Sequence, residues 1–309
     1  MLSTLPFDTP DRVIAQASGG ASAVTAVAGA GGPVAMASAR RAAELGLIEP
    51  VLVGDLDAVA AIARDMGWAL DGIRQVSAKD ERKAAEVAVA LARGGEAAAL
   101  MKGQVHTDAL MRAVVDRDNG LHAGRRMSHV FYMTAPGREG SITISDAAIN
   151  VAPGPGVKLD IVNNALTLLH ALGIAEPKVA VLSATEVPIA AMPSSLDAAE
   201  VVRRAALGEV TNAVVDGPFA FDVAVSPEAA AIKGVDSPVA GRADLLIMPN
   251  IEAGNAVFKA MVYYMSATAA GLVMGAKVPI ILTSRADPPE ARLTAAALAA
   301  IVAAHQDTA

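Results

Sequence analysis

Pro50-Val51-Leu52-Val53-Gly54 is a short β-branched run closed by a glycine, and it passes at once into an alanine-rich amphipathic stretch over residues 55–66. A buried strand followed by a helix with one apolar face is a βα unit. The same unit recurs along the chain. Strand-like runs at residues 97–101, 141–145, 178–183, 212–216, 244–248 and 278–283 alternate with helical stretches at 37–46, 79–93, 160–172, 195–206, 253–270 and 290–304. This alternation predicts an α/β fold on a mostly parallel sheet. The Ala/Gly/Ser-rich start up to Pro33 has no decisive period, and Pro153-Gly154-Pro155-Gly156 is turn chemistry.

Composition narrows the function. The 309 residues are 53% hydrophobic and 18% charged, a balance that excludes disorder. There is no cysteine, which removes disulfides, thiolate nucleophiles and Cys-ligated zinc or iron–sulfur sites. A sulfur needed for chemistry must come with a substrate. The net charge of −7, from 25 basic and 32 acidic residues, argues against nucleic-acid partners and requires a local cationic cluster for any anionic substrate. No run reaches the roughly 18–20 apolar residues of a membrane span. The early apolar stretch over residues 21–37 is broken by Gly29, Gly31, Gly32 and Pro33 and lacks the pattern of a signal peptide. The expectation is a soluble cytoplasmic protein with no membrane partner.

Ligands of open α/β sheets sit beyond the carboxyl ends of strands, so the strand-end loops are the places to search. After residues 97–101 come Lys102-Gly103-Gln104-Val105-His106-Thr107 and a helix carrying Arg112. Here Gly103 would let a ligand approach the backbone, and Thr107 with Asp108 would cap a helix whose amides favour an anion. An ordinary strand–loop–helix joint is the competing reading. After residues 278–283 come Ser284-Arg285-Ala286-Asp287-Pro288-Pro289-Glu290. The guanidinium suits a phosphate, the hydroxyl can face an oxyanion, and a carboxylate can take a proton. Equally, Asp287 can cap the last helix, with Pro288 in its first turn and Glu290 in a capping role.

Other loops carry less. Ser128-His129 follows Arg125-Arg126, where a solvated basic turn is the favoured reading, and the segment from Pro249 through Asn255 leads into a helix. The five histidines, His106, His122, His129, His170 and His305, have no metal-ligand spacing, so no metal is expected. Gly29-Ala30-Gly31-Gly32-Pro33 fails the dinucleotide spacing, and neither a P-loop nor a Gly-x-Ser-x-Gly elbow occurs.

Taken in order, Met101-Lys102-Gly103-Gln104-Val105-His106-Thr107, Arg126-Met127-Ser128-His129-Val130, Val215-Asp216-Gly217-Pro218, Ser237-Pro238-Val239-Ala240-Gly241-Arg242, Pro249-Asn250-Ile251-Glu252-Ala253-Gly254-Asn255 and Leu282-Thr283-Ser284-Arg285-Ala286-Asp287 resemble the phosphate acetyl/butyryl transferase family. The details look nearer to its butyryl branch and to the acyltransferase part of bifunctional enoyl-CoA hydratase/phosphate acyltransferases. The resemblance implies reversible transfer of a short acyl group between CoA and inorganic phosphate, with CoA and phosphate as substrates and no cofactor. It implies two α/β domains with a cleft between them, like isocitrate and isopropylmalate dehydrogenases, in a homodimer. Domain one would span residues 1–125 completed by 273–309, and domain two 126–272.

By the same resemblance Ser284 and Arg285 fall on the family's Ser-Arg pair, and Arg112 on an arginine associated with substrate binding. Lys102, Gly103, His106, Thr107, Ser128, Asn255 and Glu290 complete the implied substrate-binding set. The acetyl branch carries its catalytic aspartate seven residues beyond the serine, where this chain has Ala291. Asp287 is therefore the first choice of base and Glu290 the second. A metal-dependent dehydrogenase of the same fold type and a non-catalytic CoA-binding relative are the alternatives.

Overall fold

The computed structural model describes residues 3–284 and 287–306. The first stretch of chain holds α1 (Asp11–Ser18), β1 (Ala23–Ala28), α2 (Pro33–Glu44), β2 (Ile48–Gly54), α3 (Leu56–Asp65), β3 (Gln75–Ser77), α4 (Glu81–Arg93), β4 (Ala99–Lys102) and α5 (Thr107–Val114). The middle holds β5 (Ser128–Thr134), β6 (Ile142–Ser145), α6 (Pro155–Ala171), β7 (Lys178–Leu182), α7 (Pro193–Arg204), β8 (Val214–Phe219), α8 (Phe221–Val225), α9 (Pro227–Ile232), β9 (Leu245–Ile247) and α10 (Ile251–Met265). β10 (Thr268–Met274), β11 (Ile280–Ile281) and α11 (Pro289–Gln306) follow.

These elements form two compact α/β units. One joins Thr9–Arg125 to the chain from Ala270 onward, and the other is Arg126–Ala269 with the residues up to Asp8. In the first unit the strands lie in the order β3-β2-β1-β4-β11-β10, parallel except for the antiparallel pair β10–β11. In the second the order is β5-β6-β9-β7-β8, with β5–β6 the antiparallel pair. Among the described residues no helix is long and apolar enough to cross a membrane.

The local chemistry explains most boundaries. β2 reads as a continuous apolar run because both faces of a parallel strand are covered, and Val51, Leu52 and Val53 are buried. Each such side chain contributes about 1.5–3 kcal/mol by leaving water. Helices α3, α4 and α10 start where Asp55, Asp80 and Asn250 accept first-turn amide hydrogens. In contrast α2 and α6 begin with a proline after Gly32 and Gly154, with no side-chain cap. α11 buries most of its length, so its alanine-rich sequence serves close packing rather than a single amphipathic face.

Several expectations are corrected. The stretch after Arg125-Arg126 is not a solvated turn but β5, where Ser128 and His129 are buried. The ambiguous start contains β1, whose small side chains give no strong apolar signal although Ala26, Val27 and Ala28 are fully buried. The helix expected over 253–270 stops at Met265, where Ser266 turns left-handed at φ 51°, and β10 takes over. Asn212 does not open β8, which runs from Val214 to Phe219.

Gly103 also has a structural reason. Its amide donates 2.9 Å to the Ala28 carbonyl, and the next amide, of Gln104, donates 2.7 Å to the Gly29 carbonyl. A Cβ at Gly103 would stand 2.6 Å from the Ala28 carbonyl oxygen and in contact with that of Gly29. Gly103→Ala must therefore separate the ends of β1 and β4, and is expected to lose about 1–3 kcal/mol in urea denaturation, as overpacked sites do. Unchanged stability would show that this approach is not tight.

Candidate active site

β4 and β11 run parallel and in register, Leu100 opposite Ile280 and Met101 opposite Ile281. The residues that follow the two strands therefore leave the sheet side by side. Lys102, Gly103 and Gln104 from one and Thr283 and Ser284 from the other line a pocket of about 260 Å³, closed by Pro33, Val34, Ala35 and Ser38 of α2 and by Arg292 of α11. Its size is below the roughly 300–1,000 Å³ of a site for a drug-sized ligand. It suits a phosphate and the group attached to it.

The electrostatics are one-sided. Lys102 and Arg292 are both cations, and the start of α2 presents main-chain amides that no side chain caps. Asp287 is bonded to Ser284 but is not itself among the residues lining the pocket. Its carboxylate accepts the Ser284 amide hydrogen at 2.7 Å, and the Asp287 amide donates back to the Ser284 carbonyl at 3.2 Å. Burial pushes the Asp287 carboxyl above the ordinary aspartate value, opposed by the Ser284 amide and by the charges of Arg292 and Lys102. Asp287, two residues before the start of α11, holds the Ser284 turn. Arg285 lies outside the described residues.

The other expected residues are scattered. Thr107 is the first residue of α5 and does not cap it; His106 is at the cap position, with no side-chain bond to the helix. Glu81 accepts the His106 amide at 3.1 Å and the ring Nδ1 hydrogen at 2.8 Å, and these bonds hold the Glu81 carboxyl low. His106 and Arg112 line a second groove with Glu81, Arg93 and Asp116, not the pocket that holds Ser284. Glu290 lies in the first turn of α11 and its carbonyl accepts the Thr294 hydroxyl. In the other unit Ser128 is fully buried and accepts from Asn164 at 3.0 Å, while Asn255 donates 3.3 Å to the Ala147 carbonyl. Ala291 is buried in α11, so the position seven beyond Ser284 faces the core.

Two features escaped sequence reasoning. Arg292 looks like a helix-surface arginine until β11 brings its helix to β4. Lys158, only 2% exposed, is paired with Asp197 at 2.8 Å. Asp197, with Ser183, Ser194 and Asn250, lines a pocket at the carboxyl ends of β7 and β9. A lysine in the first turn after Pro153-Gly154-Pro155-Gly156 was the one available signal.

Residues 73–300 match the family model described as "Phosphate acetyl/butaryl transferase", well over half of the chain. The chain belongs to this family. Phosphate acetyltransferase of Rhizobium meliloti is 46% identical over 296 residues, covering 96% of this chain and 94% of that protein. Phosphate butyryltransferase of Clostridium acetobutylicum is 40% identical over 267 residues, covering 86% and 89%. The crystal structure of a branched-chain phosphotransacylase from Enterococcus faecalis V583 superposes with a TM-score of 0.79 at 30% identity, over 91% of this chain and 99% of that one.

Within this family member the Lys158–Asp197 pair makes a stability test. Removing one partner of a buried ion pair leaves an uncompensated charge, worth about 3–5 kcal/mol. Asp197→Ala is expected to lower the urea midpoint strongly, and Lys158→Met to cost much less. Equal effects would mean that burial of the ammonium is not the controlling term.

Proposed function

We propose that the protein is a phosphate acyltransferase that moves a short acyl group reversibly between CoA and inorganic phosphate. The observation that supports this reading is the pairing of β4 with β11, which brings Lys102 and Ser284 into one pocket with Arg292, with Asp287 bonded to the Ser284 amide. The family membership and the acyltransferase names of the relatives agree with it.

In the direction of acyl-CoA formation, the Asp287 carboxylate takes the proton of the CoA thiol. The thiolate attacks the acyl phosphate carbonyl carbon, the carbonyl oxygen becomes an oxyanion facing Ser284, and phosphate departs with the electron pair of the broken C–O bond. Lys102 holds the phosphate, and Arg285 is assigned to it on its place in the family's Ser-Arg pair. Transfer is direct in a ternary complex, and orientation of the two substrates supplies much of the acceleration. Because the chain has no cysteine, the sulfur of the reaction is the substrate's own. Arg112, which lines a separate groove, is assigned to substrate binding. Glu290 remains the second choice of base. No cofactor is assigned.

We further propose the two-domain architecture of isocitrate and isopropylmalate dehydrogenases, and a homodimer. α10 supports the dimer: Gly254 is its one fully buried residue, while Tyr263 and Tyr264 are 55% and 61% exposed. Sedimentation at micromolar concentration should give twice the mass of the chain, and a monomer would refute this part.

Thiol release from acetyl-, propionyl- and butyryl-CoA plus phosphate tests the activity. At least one should react, with the rate unchanged in EDTA; no release with any of them would overturn the proposal. Metal dependence would favour the dehydrogenase-type alternative. A non-catalytic CoA-binding relative would bind CoA and release no thiol.

Asp287 gives a separate pH test. As a base it works ionised, so the rate falls as pH drops through its pKa, and burial places that fall above the ~3.9 of an ordinary aspartate. Asp287→Asn should remove this acid limb and lower kcat by about 10²–10⁴. An unchanged profile in the variant would move the base to Glu290.

A further inference from the structure

Arg292 is one residue beyond the buried Ala291, in the first turns of α11. One terminal nitrogen of its guanidinium donates to the Asp287 carbonyl. Its Nε is shielded from solvent and has no hydrogen-bond partner among the described residues. A buried cationic N–H without an acceptor costs about 1–3 kcal/mol or more, and buried donors are otherwise almost always satisfied. Such an orphan is tolerated where a ligand supplies the missing acceptor.

The surroundings identify the ligand. Arg292 lines the same pocket as Lys102, Ser284 and the first residues of α2. Val34 and Ala35 stand in the first turn of α2, where amides have no acceptor within the helix, and Gly32 supplies no side-chain cap. The nearby carboxylate, Asp287, takes the Ser284 amide. Two cations, one of them a guanidinium whose Nε is buried without a partner among the described residues, and first-turn amides thus line one small space. A dianion with several acceptor oxygens matches this donor set, and a planar guanidinium can address two of its oxygens at once.

We propose that Arg292 is a phosphate-binding residue, sharing the phosphoryl oxygens of inorganic phosphate and of the acyl phosphate with Lys102. This rests on the acyltransferase reading for the identity of the anion, but the donor set calls for a phosphate-like anion independently. Arg292 thereby supplies a second cation beside Lys102. Its bond to the Asp287 carbonyl also ties the phosphate site to the turn that carries the proposed base.

Calorimetric titration with inorganic phosphate and steady-state kinetics with both substrates varied test the assignment. For Arg292→Gln, the Kd and KM for phosphate should rise at least tenfold, with the KM for CoA changed by less than twofold. Arg292→Lys keeps the charge without the fork and should fall between the two. Should the glutamine variant fail to fold, the lysine variant alone decides: phosphate affinity within twofold of the parent overturns the proposal. So does a rise confined to the KM for CoA, or a fall in kcat with phosphate affinity unchanged. If the parent protein binds phosphate but releases no thiol, the acyltransferase reading fails while the titration of the Arg292 variants still judges the anion site.

Discussion

The parallel, in-register contact of β11 with β4 is the constraint on which the site depends. It consists of two residue pairs, Leu100 with Ile280 and Met101 with Ile281, all four buried. Parallel pairing requires a long excursion of the chain between the two strands, and here that excursion includes Arg126–Ala269, nearly all of the second unit. Because paired strands end together, the two loops that follow them must share one space. Lys102 and Ser284 are neighbours for that reason and no other.

Around this pairing the main chain is drawn tight. Gly103 lets the end of β4 turn against Ala28 and Gly29 at the end of β1, so the loop that begins with Lys102 is anchored on the neighbouring strand. Fixed loops hold charges in place before a ligand arrives, which is what makes electrostatic stabilisation effective. The helices divide accordingly. Those with Asp or Asn caps have their first amides satisfied, while α2 begins with proline beside the pocket and leaves its amides open.

The fate of the carboxylates shows how burial sorts roles among similar groups. Glu81 is exposed and held low by its bonds to His106, the residue before α5. Asp197 neutralises a buried lysine. Asp287 combines partial burial with two nearby cations, and its raised carboxyl brings it closer in proton affinity to a thiol than an ordinary aspartate would be. A carboxylate at the Ala291 position would lie in the core face of α11. That contrast separates two residues only four apart.

Alternation of β-branched runs with alanine-rich helices was enough to establish an α/β fold, because periods of 2 and 3.6 report which residues near each other in sequence are buried together. The strand-end polar residues Lys102, Ser284 and Asp287 were legible for the same local reason. The signal failed where side chains are small, as in β1, or where polar residues are buried inside a strand, as in Ser128 and His129 of β5. Register between distant strands leaves no local trace. Tertiary structure alone therefore decided that Lys102 and Ser284 meet, that Arg112 belongs to another groove, and that Arg292, an unremarked helix residue, stands with its donor unfilled beside them.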